Sequence, residues 1–355
     1  MDFTYNEDQL LFRDALRKYL VVTATPELSR AMWETRTGRS SKAFKAFAEQ
    51  GLTGLMISES EGGLGCSELD WALLAQEIGY HGVPESLLAT ACLGVGLLNS
   101  LATDAPLRRE WLPRVLSGEA RVAVGHAVDP LVSDAHVAHL LLLPAGDEVH
   151  AVLRGAVELE INPSVDPARR LYRVRWSPTP ATCIASGTVG RALWVDTFER
   201  GALLTAAQML GLASRMMDLA VDYSTERRQF GKPIGSFQAV KHLMADVAVA
   251  IEFAKPVLNR AAHAVANRLC DRSLHVSHAK LACGEAAWMA ARRSMQVHGA
   301  MGYTWEVDLQ MFMKRAWALD ATWGDRGLHK SRIADSIFVD GAALGPGMTF
   351  ASANR

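Results

Sequence analysis

The sequence predicts a mainly α-helical protein with a small β-domain between two helical regions. Apolar residues recur at helical spacing over residues 7–117, short β-type runs follow from about residue 121, and long helical patterns return after residue 199. Of the 355 residues, 49% are hydrophobic and 21% are charged, which is typical of a folded globular protein. A chain of this length can bury a large core in two or three packed units.

We assign the N-terminal helical domain to residues 1–120. Its helical periodicity is interrupted at three places that contain glycine or proline, namely residues 51–54, 61–65 and 83–84. The interruptions predict several helices of ordinary length in this region, because glycine and proline are poorly accommodated inside a helix.

We assign a short middle β-domain to residues 121–198. Four runs rich in branched aliphatic residues favour strands, at residues 137–143, 149–153, 157–161 and 171–176. The segment Pro144-Ala145-Gly146-Asp147 separates the first two runs and is predicted to form a hairpin turn. We expect a small antiparallel domain that ends near Thr197.

The C-terminal region, residues 199–355, is predicted to form a four-helix bundle. Apolar residues from Phe237 to Ile251 keep three- and four-residue steps, which place them on one face of a helix. Long helices are expected at residues 201–227, 236–269 and 273–298, with a shorter helix after Lys330. Pro256 is expected to kink the second of these helices.

Composition argues against several classes of function. The formal net charge of −1 predicts no nucleic-acid partner. The five cysteines show no paired metal-ligand spacing, and four histidines that invite a metal interpretation fit no strong ligand motif: His126, His136, His139 and His298. We therefore expect no metal site. The first residues lack a signal-peptide pattern and no aliphatic run is long enough to span a membrane, so we expect a soluble, cytoplasmic protein.

The segment 226–238, ERRQFGKPIGSFQ, separates two of the predicted long helices. Glycine and proline end the helices there, and the exposed turn offers three cations, Arg227, Arg228 and Lys232. A guanidinium group can hold two phosphate oxygens at once, so the turn suits a pyrophosphate. The alternative interpretation is a charged helix end that complements the helix dipole.

A second segment, residues 296–303 (QVHGAMGY), follows another predicted helix. Gly299 and Gly302 would let a flat or anionic group approach the backbone closely, and Gln296 can hydrogen-bond a base or a ribose. A simple helix C-cap is the alternative interpretation of these glycines.

Together the two segments resemble signatures of the acyl-CoA dehydrogenase family. Residues 227–238 match the pattern Arg-x-x-Phe-Gly-x-x-Ile-x-x-Phe-Gln, and residues 296–303 match Gln-x-x-Gly-x-x-Gly-Tyr. Residues 51–79 are similar to the family's segment that passes through a Gly-Gly-x-Gly turn into a helix. The resemblance covers both ends of the chain and implies the family's order of an N-terminal helical domain, a middle β-domain and a C-terminal four-helix bundle.

The resemblance implies FAD-dependent α,β-dehydrogenation of an acyl-CoA thioester. In the family, a carboxylate removes the proton next to the thioester carbonyl while the β-hydrogen leaves as hydride to the flavin. Arg227 and Gln238 would contact the FAD pyrophosphate region, and residues 296–302 would contact the FAD of a neighbouring subunit. The implied cofactor-binding residues are Arg227, Phe230, Gln238, Gln296, Gly299 and Gly302. The implied partners are an acyl-CoA substrate, further subunits and an electron-accepting flavoprotein.

The glutamate that usually serves as the family's catalytic base is missing from the matching position. In the loop before the last helix, residues 321–325, Trp323 stands at that position. Some members carry the glutamate near the start of the first bundle helix, and that position falls on Gly201. Glu199 and Asp325 remain as candidates for the base, with an exposed or helix-terminal carboxylate as the alternative interpretation of each.

The middle region also departs from the family, because residues 126–143 lack the Thr-Glu-Pro-x-x-Gly-Ser-Asp type loop that faces the flavin. These losses resemble the smaller, degenerate subunits that some bacterial acyl-CoA dehydrogenases combine with a catalytic chain for steroid-type acyl-CoAs. Besides a flavin-free protein that binds a CoA thioester, two hypotheses stay open. The chain is a catalytic FAD-binding subunit of a homo-oligomer or heterotetramer, or it is a non-catalytic subunit that completes the FAD site of a catalytic partner.

Overall fold

The computed structural model describes residues 4–83, 86–339 and 342, and the chain divides into two compact units. The first unit contains Met1–Pro26, Ala72–Val83 and Ala202–Arg355. The second contains Glu27–Trp71 and Pro84–Gly201. Each unit is therefore assembled from segments that are distant in the sequence.

The N-terminal region is helical, as predicted. Its helices are α1 (Glu7–Thr23), α2 (Pro26–Glu34), α3 (Ser41–Glu49), α4 (Glu68–Tyr80), α5 (Val95–Asn99) and α6 (Pro106–Leu116), with a π-helical turn, Ala89–Gly94, before α5. Asn6 begins α1 with a capping box, in which its side chain accepts from Gln9 N and its own N–H donates to the Gln9 side chain. Two predicted interruptions coincide with short 3₁₀ turns, Leu52–Gly54 and Glu59–Glu61. The third, at residues 83–84, lies partly outside the described residues.

The β-domain contains the four predicted strands and three shorter ones. The strands are β1 (Val122–Val124), β2 (Val132–Ser133), β3 (Leu140–Ala145), β4 (Glu148–Leu153), β5 (Glu158–Asn162), β6 (Leu171–Arg175) and β7 (Cys183–Ala185). They form one sheet in the order β1-β3-β4-β7 and another in the order β2-β6-β5. The predicted hairpin joins β3 to β4, with Gly146 at a φ of 63°. The domain is not purely antiparallel, because β1 pairs in parallel with β3.

Inward-facing aliphatic side chains form the core of this domain. Leu141, Leu143 and Val152 are buried in one cluster with Ala123 and Val132. Alternate residues of a strand face the same side of its sheet, so Leu141 and Leu143 point together into this cluster. The apolar runs seen in the sequence therefore mark strands that face a core.

The C-terminal region differs from the prediction at two helix boundaries and by one helix. Its helices are α7 (Gly187–Glu226), α8 (Gln238–Ala266), α9 (Arg272–His298), α10 (Leu309–Asp320) and α11 (Arg326–Ile337). The last strand ends at Ala185 and α7 begins at Gly187, earlier than the change from strand to helix predicted near Thr197. Tertiary packing explains the earlier start, since Trp194 and Phe198 of α7 pack on the His126 ring at centroid distances of 5.7 and 5.5 Å.

The prediction for the last helix was wrong, because α11 begins at Arg326 and not after Lys330. Helix α10 was not predicted at all. Along the described part of the chain, no helix combines the length and apolar character that crossing a membrane requires.

Helices α4 and α7 approach each other closely at two glycines. A Cβ atom on Gly79 would lie 2.1 Å from the Gln208 carbonyl oxygen, and one on Gly211 would lie 1.9 Å from the Gln76 carbonyl oxygen. Both distances are shorter than any van der Waals contact, so the helix backbones touch only because side chains are missing at both positions. Around this crossing, the Tyr80 hydroxyl donates to the Asp218 carboxylate at 2.7 Å.

We expect Gly211→Ala to destabilise the protein by at least about 1–3 kcal/mol, the usual cost of overpacking a well-packed core. Alanine is favoured over glycine inside a helix by about 1 kcal/mol, so helix propensity alone would stabilise this variant. A net loss of stability would therefore come from the clash. The measurement is the midpoint of thermal or urea unfolding. Gly155→Ala is the matched control, because a Cβ there meets no atom within 4 Å. Equal stability of Gly211→Ala and the parent protein would contradict this account of the crossing.

Candidate functional site

The two signature segments lie at the same end of the helical bundle. The Tyr223 ring, one turn before the end of α7, stacks on the ring of His298, the last residue of α9, at a centroid distance of 4.4 Å and an angle of 19°. Ser294 Oγ also donates to the Met216 carbonyl at 2.9 Å, which holds the two helices side by side. The turn after α7, the start of α8 and the end of α9 therefore converge, although about sixty residues of sequence separate the two segments.

The turn after α7 is a tight two-stranded hairpin. Strands β8 (Arg228–Gln229) and β9 (Lys232–Pro233) pair across the two residues Phe230 and Gly231, whose φ angles are 54° and 80°. Two consecutive positive φ values are the mark of a type I′ turn, in which glycine is favoured at the second position. The hairpin presents the Phe230 side chain to solvent, where it is 90% exposed.

Cationic and backbone N–H groups gather beside this hairpin. Arg227 and Arg228 are exposed, and among the described residues no carboxylate forms an ion pair with either guanidinium. Lys232 Nζ lies 4.4 Å from the centre of the Phe237 ring. No side chain in the described structure caps the N-terminus of α8, so the N–H groups of its first two residues and the positive end of its dipole stay available to an anion.

A groove of about 460 Å³ lies next to the hairpin, between the last turns of α7 and the first turns of α8. Gly235 allows the hairpin to approach α7, because a Cβ there would lie 2.8 Å from Ser224 Oγ. Gln238 is exposed in the first turn of α8. This end of the bundle therefore combines a groove, uncompensated cations and an uncapped helix.

The second segment contains two glycines with different roles. Gly299 has a φ of 61°, and a Cβ at this position would meet no atom within 4 Å. Its surroundings are open and leave space for another group, and Gln296 nearby is exposed. A Cβ on Gly302 would lie 3.0 Å from the Met295 carbonyl oxygen, so that glycine serves the packing of the chain against the end of α9.

The loop between α10 and α11 is held by two buried polar side chains that the sequence analysis did not single out. Lys280 Nζ donates to the carbonyls of Leu319, Asp320 and Gly324 at 3.2, 2.9 and 3.2 Å. His329 Nε2 donates to the Trp323 carbonyl at 3.0 Å, since a carbonyl oxygen can only accept. In the sequence, a lysine among the small residues of α9 could have indicated this role, because a buried ammonium group needs several hydrogen-bond acceptors.

Trp323 therefore sits in a tightly defined loop. Its φ is 55° and it is only 9% exposed. Burial lowers the pKa of His329 from 6.5 to about 4, so the imidazole is neutral at neutral pH and its Nδ1 can accept from Ser277 Oγ at 3.1 Å. The backbone at the position of the expected base is thus fixed by hydrogen bonds from two directions.

The two candidate carboxylates differ in environment. Asp325 is exposed and is the N-cap of α11, where its side chain accepts from Leu328 N at 2.8 Å. Glu199 is buried in the interior of α7, well past the start of the helix at Gly187. Asp325 has the helix-terminal role that the sequence analysis left open, and the assignment of either residue as a base stays a prediction.

Comparison with protein families accounts for both ends of the chain. Residues 6–119 match the acyl-CoA dehydrogenase N-terminal domain, and residues 189–338 match the acyl-CoA dehydrogenase C-terminal domain. The chain belongs to the acyl-CoA dehydrogenase family. It is 32% identical over 312 residues to acyl-CoA dehydrogenase IpdE2 of Mycobacterium tuberculosis, a match that covers 87% of this chain and 91% of that protein.

Solved structures of acyl-CoA dehydrogenases have the same fold. The ChsE4–ChsE5 complex of Mycobacterium tuberculosis contains a chain that superposes with a TM-score of 0.85 at 21% identity, over 95% of this chain and 99% of that one. Butyryl-CoA dehydrogenase from Megasphaera elsdenii also gives a TM-score of 0.85, at 19% identity, over 96% of this chain and 100% of that one. The predicted fold class, mainly α with a small β-domain, is confirmed.

We expect His329 to make the protein acid-sensitive. Its folded pKa of about 4 lies below 6.5, so its contribution to stability is complete above pH 6.5 and is lost as the pH falls toward 4. One proton taken up on unfolding corresponds to a slope of up to about 1.4 kcal/mol per pH unit. His329→Gln, which keeps a donor for the Trp323 carbonyl, should flatten the pH dependence of the unfolding free energy in this range. His242→Gln, at an exposed histidine, should leave the slope unchanged; identical slopes in all three proteins would refute the prediction.

Proposed function

We propose that this chain is an FAD-binding subunit of an oligomeric acyl-CoA dehydrogenase that acts on an acyl-CoA thioester, and that a partner chain supplies the general base. The observation that carries the proposal is the contrast between two parts of the bundle. Arg227 and the start of α8 retain groups suited to a phosphate, whereas a buried tryptophan, Trp323, stands where the family resemblance expects a glutamate.

The described residues fit FAD at the end of the bundle. The unpaired Arg227 guanidinium and the uncapped start of α8 provide charge and N–H donors for a pyrophosphate, so a chain with a net charge of −1 can still bind phosphate locally. Arg227, Phe230 and Gln238 would hold one FAD. Residues 296–302, with open space at Gly299, would complete the FAD site of a neighbouring subunit. When bound, FAD would supply the acceptor for the hydride that leaves the β-carbon of the thioester.

The surface near these segments supports an oligomer. Phe230, Tyr303 and Trp305 are 90%, 80% and 65% exposed, and aromatic side chains are enriched where one protein surface contacts another. One similar structure is named as a complex of two different chains, ChsE4 and ChsE5, and another is named as a steroid acyl-CoA dehydrogenase. We therefore favour a heteromeric assembly, a steroid-type acyl group and a separate flavoprotein as electron acceptor.

A non-catalytic, completing subunit is the second candidate function. Two observations favour this candidate: Asp325 serves as a helix N-cap, and neither residue 323 nor residue 201 is a glutamate. In that case the chain would contribute FAD contacts and scaffold only. Both candidates place the general base on a partner chain, so slow turnover of the isolated chain and unchanged turnover of the carboxylate variants are expected of either one.

We expect Arg227→Ala to weaken FAD binding about ten- to a hundredfold, because a charge-assisted hydrogen-bonding pair contributes about 1.5–3 kcal/mol. The measurement is a flavin fluorescence titration of the assembly that retains FAD. Arg173→Ala is the control, since Arg173 is exposed on β6, away from the signature segments in sequence. FAD affinity of Arg227→Ala equal to that of the parent protein would remove Arg227 from the site.

We expect the purified chain, supplied with FAD, to reduce an electron-accepting dye very slowly with linear or steroid-type acyl-CoA substrates. A positioned general base contributes about 10²–10⁴ in rate, and this chain has a tryptophan at the usual position. Addition of an acyl-CoA dehydrogenase chain that co-purifies from the native source should restore turnover to about 1–10³ s⁻¹. Turnover at that rate by the chain alone would overturn the proposal of a partner base.

Substitution of the two carboxylates tests whether either one is the general base. Asparagine caps a helix about as well as aspartate, so Asp325→Asn should retain stability, whereas Asp325→Ala should lose about 1 kcal/mol. Under the partner proposal, Asp325→Asn and Glu199→Gln leave turnover of the assembly unchanged. A loss of turnover of a hundredfold or more in either variant, with FAD still bound, would assign the base to that residue.

A further inference from the structure

Three side chains with metal-binding atoms share one face of the β1-β3-β4-β7 sheet. Glu148 and His150 are two residues apart on β4, so their side chains point to the same side. Cys183 on β7 lies directly opposite His150 in the antiparallel pairing of the two strands. As a result, one carboxylate oxygen, one imidazole nitrogen and the Cys183 Sγ lie within 4.8 Å of one another.

Hydrogen bonding fixes the orientation of the imidazole ring. His150 Nδ1 lies 2.9 Å from Thr182 Oγ1, and that hydroxyl donates its hydrogen to the Thr179 carbonyl at 2.9 Å. With its hydrogen engaged there, Thr182 Oγ1 accepts from His150 Nδ1–H. In the neutral ring the lone pair is then on Nε2, which faces Glu148 Oε2 at 2.9 Å. Either a proton or a metal ion between Nε2 and Oε2 removes the repulsion between these two electron pairs.

The surrounding structure holds the three side chains in place. The Trp194 indole N–H donates to the Glu148 carbonyl at 3.0 Å, which anchors the start of β4 to α7. His150 is 1% exposed and packs edge-on against the Trp176 ring at a centroid distance of 5.0 Å. The Glu148 side chain is 43% exposed, so solvent can reach the open side of the group.

We propose that Glu148, His150 and Cys183 bind a zinc ion, with water as the fourth ligand. Thiolate, imidazole and carboxylate are the ligands that zinc takes in proteins, whereas magnesium and calcium prefer oxygen alone. The Thr182 hydroxyl serves as the outer partner that orients the ligating histidine. Binding forms the Zn–S bond and releases the thiol proton to solvent, with no change of oxidation state. The ion ties the short strand β7 to β4.

This proposal replaces the expectation from the sequence that the chain has no metal site. Cys183 is far from His150 in the sequence, and only the pairing of β4 with β7 brings them together. The site belongs to the unit formed by Glu27–Trp71 and Pro84–Gly201, whereas the signature segments belong to the other unit. Zinc binding is therefore measured without flavin or acyl-CoA, and its outcome is independent of the proposed dehydrogenase function.

The experiment is titration of the tag-free, chelator-treated full chain with zinc, followed by calorimetry, and with cobalt, followed by absorbance. We expect one zinc ion per chain and a thiolate-to-cobalt charge-transfer band in the near ultraviolet. Cys183→Ser should abolish the band and weaken zinc binding at least tenfold, and His150→Gln should weaken zinc binding similarly. Cys270→Ser, at an exposed cysteine, is the matched control and should bind as the parent protein does.

A measurement on the unaltered chain covers the case in which a variant fails to fold. Zinc should slow alkylation of Cys183 relative to that of Cys270, as followed by peptide mass spectrometry. Tighter binding at higher pH is also expected, because a thiol proton is released. Unchanged alkylation of Cys183 at saturating zinc, zinc affinity of a folded Cys183→Ser equal to that of the parent protein, or loss of the cobalt band in Cys270→Ser would each overturn the proposal.

Discussion

The C-terminal bundle depends on the close crossing of α4 and α7 at Gly79 and Gly211. Each glycine faces a backbone carbonyl of the other helix at a distance that leaves no room for a methyl group. The contact brings Tyr80 within hydrogen-bonding distance of Asp218, and the Arg215 guanidinium lies 5.3 Å from the centre of the Tyr80 ring. Helix α7 is thereby fixed along the part that leads to Tyr223 and the hairpin. Further along the same helix, the Tyr223 ring stacks on that of His298.

The loop before α11 is held by hydrogen bonds from two buried side chains to backbone carbonyls. Lys280 and His329 donate hydrogen bonds to backbone carbonyls of residues 319–324. These bonds do not involve the side chain at position 323. A buried ammonium bonded to three carbonyls is strongly constrained, because loss of any acceptor would leave a charge poorly compensated. These hydrogen bonds to the backbone therefore define the loop in which Trp323 lies.

Local electrostatics carry more information about this chain than its overall charge. The net charge of −1 argues against a polyanion, but Arg227 and Arg228 lie exposed next to an uncapped helix N-terminus. The dipole of α8 and the two guanidinium groups act over a short range, so distant acidic residues do not cancel them at ordinary ionic strength. A single pyrophosphate is the kind of ligand that this arrangement suits.

The sequence by itself determined the features that depend on neighbours along the chain. Helical periodicity, the runs of β4 and β6, the Pro144–Asp147 turn and the two signature segments are local patterns, and they indicated the fold class and the family. The cofactor-binding residues were predicted by resemblance, which is also local.

Tertiary structure decided the rest: the early start of α7, where Trp194 and Phe198 gain packing partners, the parallel pairing of β1 with β3, and the burial of Lys280 and His329. These features depend on contacts between residues far apart in the sequence. The free energy of such contacts cannot be deduced from a local sequence pattern. The meeting of His150 with Cys183 across β4 and β7 has the same origin, because strand pairing creates a neighbour that the linear order of residues does not reveal.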